Sequence, residues 1–231
     1  MAVFRFKQFS VSNTLSAMKV NTDGVLLGAA MTIPEHAAAM LDIGTGTGTI
    51  ALMAAQRHPE TTIHAIDIDE ASAREAAQNF KESPWSVRLS AFHTALADFK
   101  PECRYDHIFS NPPYYDDSLV NPDEREGEAR HSISLSYRHI LAFAAERLAP
   151  GGTLSMILPA DSEKMLLRQA GSYGLFPFRL LRIRTTPKKK PSRIIAEFGF
   201  NRTTPSEELL TIQESGRYTQ EYISLTHDFY S

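Results

Sequence analysis

The chain has 231 residues, is 42% hydrophobic and 22% charged, and carries a net charge of −3 with one cysteine, Cys103. That length suits one α/β domain with a full core and is short for two, and the composition is ordinary for a soluble globular protein. A lone cysteine excludes an intramolecular disulfide and points to a reducing compartment. No stretch approaches the ~20 apolar residues of a membrane span, so a cytoplasmic protein is expected.

A short apolar helix is predicted over 22–31, opened by Thr22 and Asp23 in the manner of a cap. The strand at 39–43 then runs into Gly44-Thr45-Gly46-Thr47-Gly48, and an Ala/Leu/Met-rich helix follows over 49–57. Glycines there let the backbone approach a ligand and adopt φ > 0, while the helix N-terminus presents unpaired N–H groups. Asp42, Gly44, Gly46 and Gly48 are therefore candidate residues for a nucleotide-like cofactor. The spacing is not that of a dinucleotide fingerprint, and no Gly-Lys-Ser/Thr follows, which favours a cofactor without a pyrophosphate. The strand at 62–67 ends on Asp67, 23 residues after Gly44, about where a ribose-binding carboxylate sits in a doubly wound sheet. Asp69 competes for that role, but its place before the helix at 70–81 suits an N-cap.

Further strands are predicted near 87–92, 105–110, 153–158, 178–185 and 193–200, with helices over 134–148 and 161–173. Helices that alternate with strands argue for a largely parallel sheet. The last two strands are joined by Pro187-Lys188-Lys189-Lys190-Pro191, too short for a crossover, so they should form an antiparallel hairpin. The expected fold is a single doubly wound α/β domain, its seven-stranded, mostly parallel sheet ending in that hairpin.

The strand at 105–110 leads into Asn111-Pro112-Pro113-Tyr114, which is either a plain turn or a reactive loop. The reactive reading concerns planar amino groups, whose lone pair is delocalised. An Asn111 side-chain oxygen and the Pro112 carbonyl could accept its two N–H groups and turn the lone pair toward an electrophile. Two prolines stiffen the loop, and Tyr114 offers a flat face for the ring bearing the amine. The acidic stretch 116–130 reads as a solvated loop or a lid, in which Arg125 and Arg130 are the residues suited to meet RNA.

Between 179 and 202 eight basic residues face one acid, Glu197, so that segment carries +7 and the remainder −10. Arg182, Arg184, Lys188, Lys189, Lys190 and Arg193 are candidates for a phosphate-binding patch; a solvated hairpin with a lysine tip is the plainer alternative.

Glycine loop, strand-end acid and Asn-Pro-Pro-Tyr, in this order, resemble the Rossmann-like S-adenosylmethionine-dependent amino-group methyltransferases. Phe6-Lys7-Gln8-Phe9, the run from Met18 to Gly28, Ser83-Pro84-Trp85, Glu128-Ala129-Arg130 and the ending from Glu221 to Tyr230 are similar to the bacterial tRNA1(Val) adenine(37)-N6 methyltransferases. The resemblance spans nearly the whole chain. It implies S-adenosylmethionine as cofactor, the adenosine of a valine tRNA anticodon loop as substrate, and Thr22, Asp23 and Gly24 closing over the methionine end within a segment 1–37. An acid that commonly follows the third strand is replaced by Leu96, so Asp98 is carried over for the adenine side. An rRNA adenine, a protein glutamine or a non-catalytic RNA-binding role are the rival readings. No metal is called for, and a monomer is expected.

Overall fold

Apolar runs punctuated by glycines and helix-capping side chains resolve, in the computed structural model, into a three-layered α/β arrangement that describes residues 3–16, 19–113 and 135–230. A short antiparallel ribbon, β1 (Val3–Arg5) with β2 (Ser10–Ser12), precedes α1 (Thr22–Ala30). Then come β3 (Ala39–Ile43), α2 (Thr49–Arg57), β4 (Thr62–Asp67), α3 (Glu70–Glu82), β5 (Leu89–His93) and β6 (Tyr105–Ser110). The remainder comprises α4 (Tyr137–Arg147), β7 (Leu148–Pro159), α5 (Glu163–Ser172), β8 (Phe176–Arg184), β9 (Arg193–Gly199) and β10 (Ser206–Thr211), then the small pair β11 (Gln213–Glu214) and β12 (Arg217–Tyr218), and α6 (Gln220–Thr226).

The main sheet has the order β10-β8-β9-β7-β6-β3-β4-β5, and β9 alone runs against its neighbours. Side chains alternate across it. Met40, Ile63, Ala65 and Ile195 face α1, α2 and α3, whereas Leu41, Ile43, Leu154, Met156 and Phe198 face α4 and α5. Each of these buried Leu, Ile, Met and Phe side chains contributes about 1.5–3 kcal/mol. Strand order reverses between β3 and β6, so their carboxyl ends open a crevice of the kind in which doubly wound sheets bind ligands.

The predicted seven strands are present, but the sheet has eight. β10 pairs parallel to β8 beyond the β8–β9 hairpin, which therefore does not end the sheet. Its sequence, Ser-Glu-Glu-Leu-Leu-Thr, carries acids that read as loop until Arg179 and Arg182 of β8 are seen opposite, bonded to Glu208 and Glu207. The strand expected from 87 begins at Leu89, after a 3-10 turn over Ser86–Arg88, and the helix expected to reach 148 stops at Arg147.

Local capping explains the helix starts. Asn21 accepts the Gly24 N–H at 2.8 Å for α1, and Asp69 accepts the Ser72 N–H at 2.9 Å for α3. α3 also grips the N-terminal arm. Glu75 accepts the backbone N–H groups of Thr14, Leu15 and Ser16 at 2.6, 2.9 and 2.8 Å. Burial pushes the Glu75 carboxyl up, but those N–H bonds outweigh it and hold it below the usual range. Asn79 bonds Ser12 through both N–H and C=O and donates to the Thr47 carbonyl at 2.8 Å, so the arm and the glycine loop share one side chain.

Candidate active site

The crevice at the ends of β3, β4 and β6 is a cleft of about 770 Å³. Gly44, Gly46, Asp67, Asp69 and Ser72 line one end of it, Leu96, Phe99 and Phe143 supply apolar wall, and Asn111 and Pro113 enter from β6. Glycine loop, strand-end acid and the Asn-Pro-Pro segment are thus brought to one cavity from three separate strands.

Asp67 is held by the loop it faces. Its Oδ2 accepts the Gly46 N–H at 2.8 Å and its Oδ1 the Asp69 N–H at 2.9 Å. A carboxylate oxygen has two acceptor sites, so each retains one for a ligand hydroxyl. Burial pushes the Asp67 carboxyl up, and the two N–H bonds pull against that. Asp69 takes the capping role: it accepts both the N–H and the hydroxyl of Ser72, and these bonds hold its carboxyl low.

The loop's other candidates divide by task. Gly44, Gly46 and Gly48 all take positive φ, as the glycine pattern requires. Gly44 and Gly46 line the cleft, but Gly48 does not: a Cβ there would lie 2.5 Å from Phe80 Cε1, so its smallness serves the packing of α2 against α3. Asp42 is fully buried and does not line the cleft; its Oδ2 accepts the Thr45 hydroxyl at 2.7 Å, which braces the loop. Burial, opposed by that hydroxyl and reinforced by the charge of Asp67, pushes its carboxyl up to about 7. A buried acid that holds its proton in the folded state, when the ordinary value is about 3.9, loses its stabilising protonation as pH rises toward 7. Between pH 4 and 7 the wild type is therefore expected to lose stability relative to Asp42→Asn, by up to about 1.4 kcal/mol per pH unit. Thermal unfolding across that range checks this; parallel profiles for the two proteins would remove the assignment.

Several expected residues lie elsewhere. Thr22 and Asp23 do not line the cleft: they border a second hollow, where Asp23 accepts from Arg193 Nε at 2.7 Å. Among the described residues of the arm, Ser16 touches the cleft wall by accepting a hydrogen bond from the Ser72 hydroxyl at 3.0 Å. Asp98 is exposed in the turn after β5, whereas Ala95 and Leu96 line the cleft, so the wall is apolar where an acid was sought. Pro112 is buried and does not line the cleft, though Pro113 does. Tyr114, Arg125 and Arg130, with the acidic stretch 116–130, lie outside the described residues.

The basic segment is less cationic than its sequence implies. Arg182 is held by Glu163 at 2.5 Å and Glu207 at 2.9 Å, and Arg179 by Glu197 and Glu208. Arg184 donates to the Thr211 hydroxyl and the Pro187 carbonyl, and Arg193 pairs with Asp23. Glu197 lies within the segment, in β9, and the other counter-charges come from α1, α5 and β10. Lys188, Lys189 and Lys190 remain exposed at the β8–β9 turn.

One wall was missed. His139, Ala142, Phe143, Glu146 and Arg147 of α4 line the cleft, while Tyr137, Ile140, Leu141 and Ala144 face the core. That second stripe has helical spacing and could have been read from the sequence. Lys100 adds a cation at the same end.

A glycine cradle, a strand-end acid with open acceptor sites and an apolar slot fit a nucleoside cofactor that lacks phosphates. The methyltransferase small domain family matches residues 9–169. The chain belongs to that family. Curated relatives named tRNA1(Val) (adenine(37)-N6)-methyltransferase include one from Bacteroides fragilis, 44% identical over 98% of this chain and 97% of the relative. Others come from Flavobacterium psychrophilum, 40% identical over 99% of both chains, and Vibrio vulnificus, 38% identical over 98% and 95%. Among solved structures, a chain described as a predicted O-methyltransferase from Agrobacterium tumefaciens superposes with a TM-score of 0.69 at 18% identity, covering 91% of this chain and 98% of its own. At that identity the likeness concerns the methyltransferase fold, and the catalytic loop must be read from this chain's own residues. No helix among the described residues of this methyltransferase is long and apolar enough to cross a membrane.

Proposed function

We propose that this chain transfers a methyl group from S-adenosylmethionine to the N6 amine of adenosine 37 in the anticodon loop of tRNA1(Val). The observation that carries the chemistry is the convergence of Asn111 and Asp67 on one cleft. The target position rests on the full-length relatives that bear this name. In this reading residues 1–231 act as one cytoplasmic methyltransferase domain, with segment 1–37 at the cofactor end and 179–202 on the RNA side.

Asp67 receives the ribose hydroxyls, and the Gly46 and Asp69 N–H groups fix its orientation for them. Ile66, Ile68, Leu96 and Phe99 form the slot for the adenine ring. The cofactor supplies a methyl on a sulfonium, an electrophile that needs no metal. The target adenosine reaches the cleft unstacked, a smaller cost in a loop than in a duplex. Asn111 accepts one of its amino protons, which directs the lone pair at the methyl, with Tyr114 stacked on the ring. With the cofactor bound, forming the N–C bond would break the sulfonium C–S bond and release the neutral thioether, and the methylated cationic amine, being strongly acidic, would then lose its proton to water. Asp67→Ala is expected to raise the dissociation constant for S-adenosylmethionine about tenfold, the loss of one or two charge-assisted hydrogen bonds. Calorimetric titration measures it, and an unchanged constant would move the ribose elsewhere.

The test is methyl transfer from labelled S-adenosylmethionine to tRNA from cells lacking this activity, with nucleoside analysis of the product. N6-methyladenosine confined to valine tRNA is the expected result. Label in rRNA or in a protein glutamine would retain the amino-group chemistry and overturn the substrate.

A further inference from the structure

A second hollow of about 500 Å³ lies on the same edge of the sheet as the cleft. The carboxyl ends of β6 and β7, the start of β9 and the end of β8 all open on that edge, because β9 runs against β7 and pairs Arg193 with Pro159. Two strand spacings separate β6 from β9, and Arg193 pairs with Pro159, three positions beyond the Met156 that pairs with Ser110, so Arg193 stands roughly 14 Å from the end of β6. That distance matches a reach of one or two nucleotides in an unstacked loop.

The hollow is polar and has a flat wall. Tyr218, 55% exposed, stacks on buried Tyr222 with ring centroids 4.9 Å apart, which fixes its orientation and leaves its outer surface to solvent. Thr185 and Gln213 line the hollow beside it and can donate to and accept from a base edge. Arg193 is held in place by Asp23, and the exposed Lys188, Lys189 and Lys190 follow directly along the turn. An aromatic platform, hydrogen-bonding side chains and adjacent cations make up the set that holds a single-stranded nucleotide.

We propose that this hollow is a subsite for a nucleotide flanking the methylated adenosine, with its base stacked on Tyr218 and its phosphate near the lysine turn. The proposal rests on the RNA-methylating reading above. It assigns the C-terminal segment, which stands outside residues 9–169 matched by the family, to substrate recognition.

The experiment compares wild type, Tyr218→Ala and Tyr218→Phe on transcribed valine tRNA. Tyr218→Ala is expected to raise KM for tRNA about tenfold, within the range for loss of one stacked base, with kcat at saturating tRNA and affinity for S-adenosylmethionine unchanged. Tyr218→Phe should behave as wild type, since the ring and not the hydroxyl carries the contact. Replacing Lys188, Lys189 and Lys190 together by Ala should raise KM and flatten its salt dependence. Equal KM values for wild type and Tyr218→Ala would overturn the subsite. A wild type that binds S-adenosylmethionine but methylates no tRNA would instead overturn the RNA reading itself.

Discussion

Asn111→Ala is expected to lower kcat for tRNA methylation by about 10²–10³, with affinity for S-adenosylmethionine changed by less than about threefold. Asn111 closes β6, whose hydroxyl neighbour Ser110 donates to the Ile43 carbonyl at 2.7 Å and so ties this strand end to the start of the glycine loop. The Asn111 side chain is 6% exposed and lines the cleft, so an oxygen there acts in a site from which water is largely excluded. Acceptors aimed at a charge that develops in the transition state are worth more in such a place than in water. The adenine amine becomes cationic only as the new C–N bond forms, so the loss falls on kcat and not on ground-state binding. Asn111→Asp retains an acceptor oxygen at the same position and should keep more activity than Asn111→Ala. Single-turnover rates at saturating tRNA, alongside cofactor titration, separate these effects. Equal loss of turnover and cofactor affinity would mean that Asn111 serves chiefly to bind the cofactor.

The residues that sequence alone placed well are those whose signals are local. The strand at 39–43, the helix at 49–57 and the strand end at Asp67 are read from short periodicities and glycines, and they stand where those patterns put them. The Asp69 cap is equally local, since its partner Ser72 is three residues away. What the sequence hid are relations between distant residues. β10 is a strand because Arg179 and Arg182 reach Glu208 and Glu207 from 25 or more positions away, and an acidic hexapeptide gives no sign of such partners. The same pairing explains why eight basic residues in a row of 24 overstated the charge available to RNA. Asp23 illustrates the converse: the motif that contains it was legible, but its partner Arg193 lies 170 residues on, and the two border the second hollow and not the cleft.

Glu197 was the lone acid in that basic stretch, and its replacement is expected to have the largest effect on stability. It lies at the centre of the sheet on the face covered by α1, fully buried, opposite Ser155 of β7 and Arg179 of β8 in the strand register. Its Oε1 accepts from the Ser155 hydroxyl at 2.7 Å and the Thr32 N–H at 2.6 Å. Its Oε2 accepts from the Thr32 hydroxyl at 2.8 Å and Arg179 Nη1 at 3.0 Å. One carboxylate thus joins three strands to the chain leaving α1. Truncation to Ala leaves the Thr32 N–H and hydroxyl, the buried Ser155 hydroxyl and part of a guanidinium without this partner, and breaking a buried ion pair from one side costs about 3–5 kcal/mol. For a chain of this size that is a fall in Tm of roughly 10 °C. Arg179 keeps its bidentate pair with Glu208 and its bond to the Ala30 carbonyl, which sets the expectation toward the lower end of that range. Replacing Arg179 and Glu197 together by Met and Leu should recover part of the loss, because apolar side chains of similar size remove the stranded charge along with the pair. Urea and thermal unfolding of the single and double variants measure the coupling. A loss below about 1 kcal/mol for Glu197→Ala, or strict additivity with Arg179→Met, would show that α1 is fixed to the sheet by its apolar face alone.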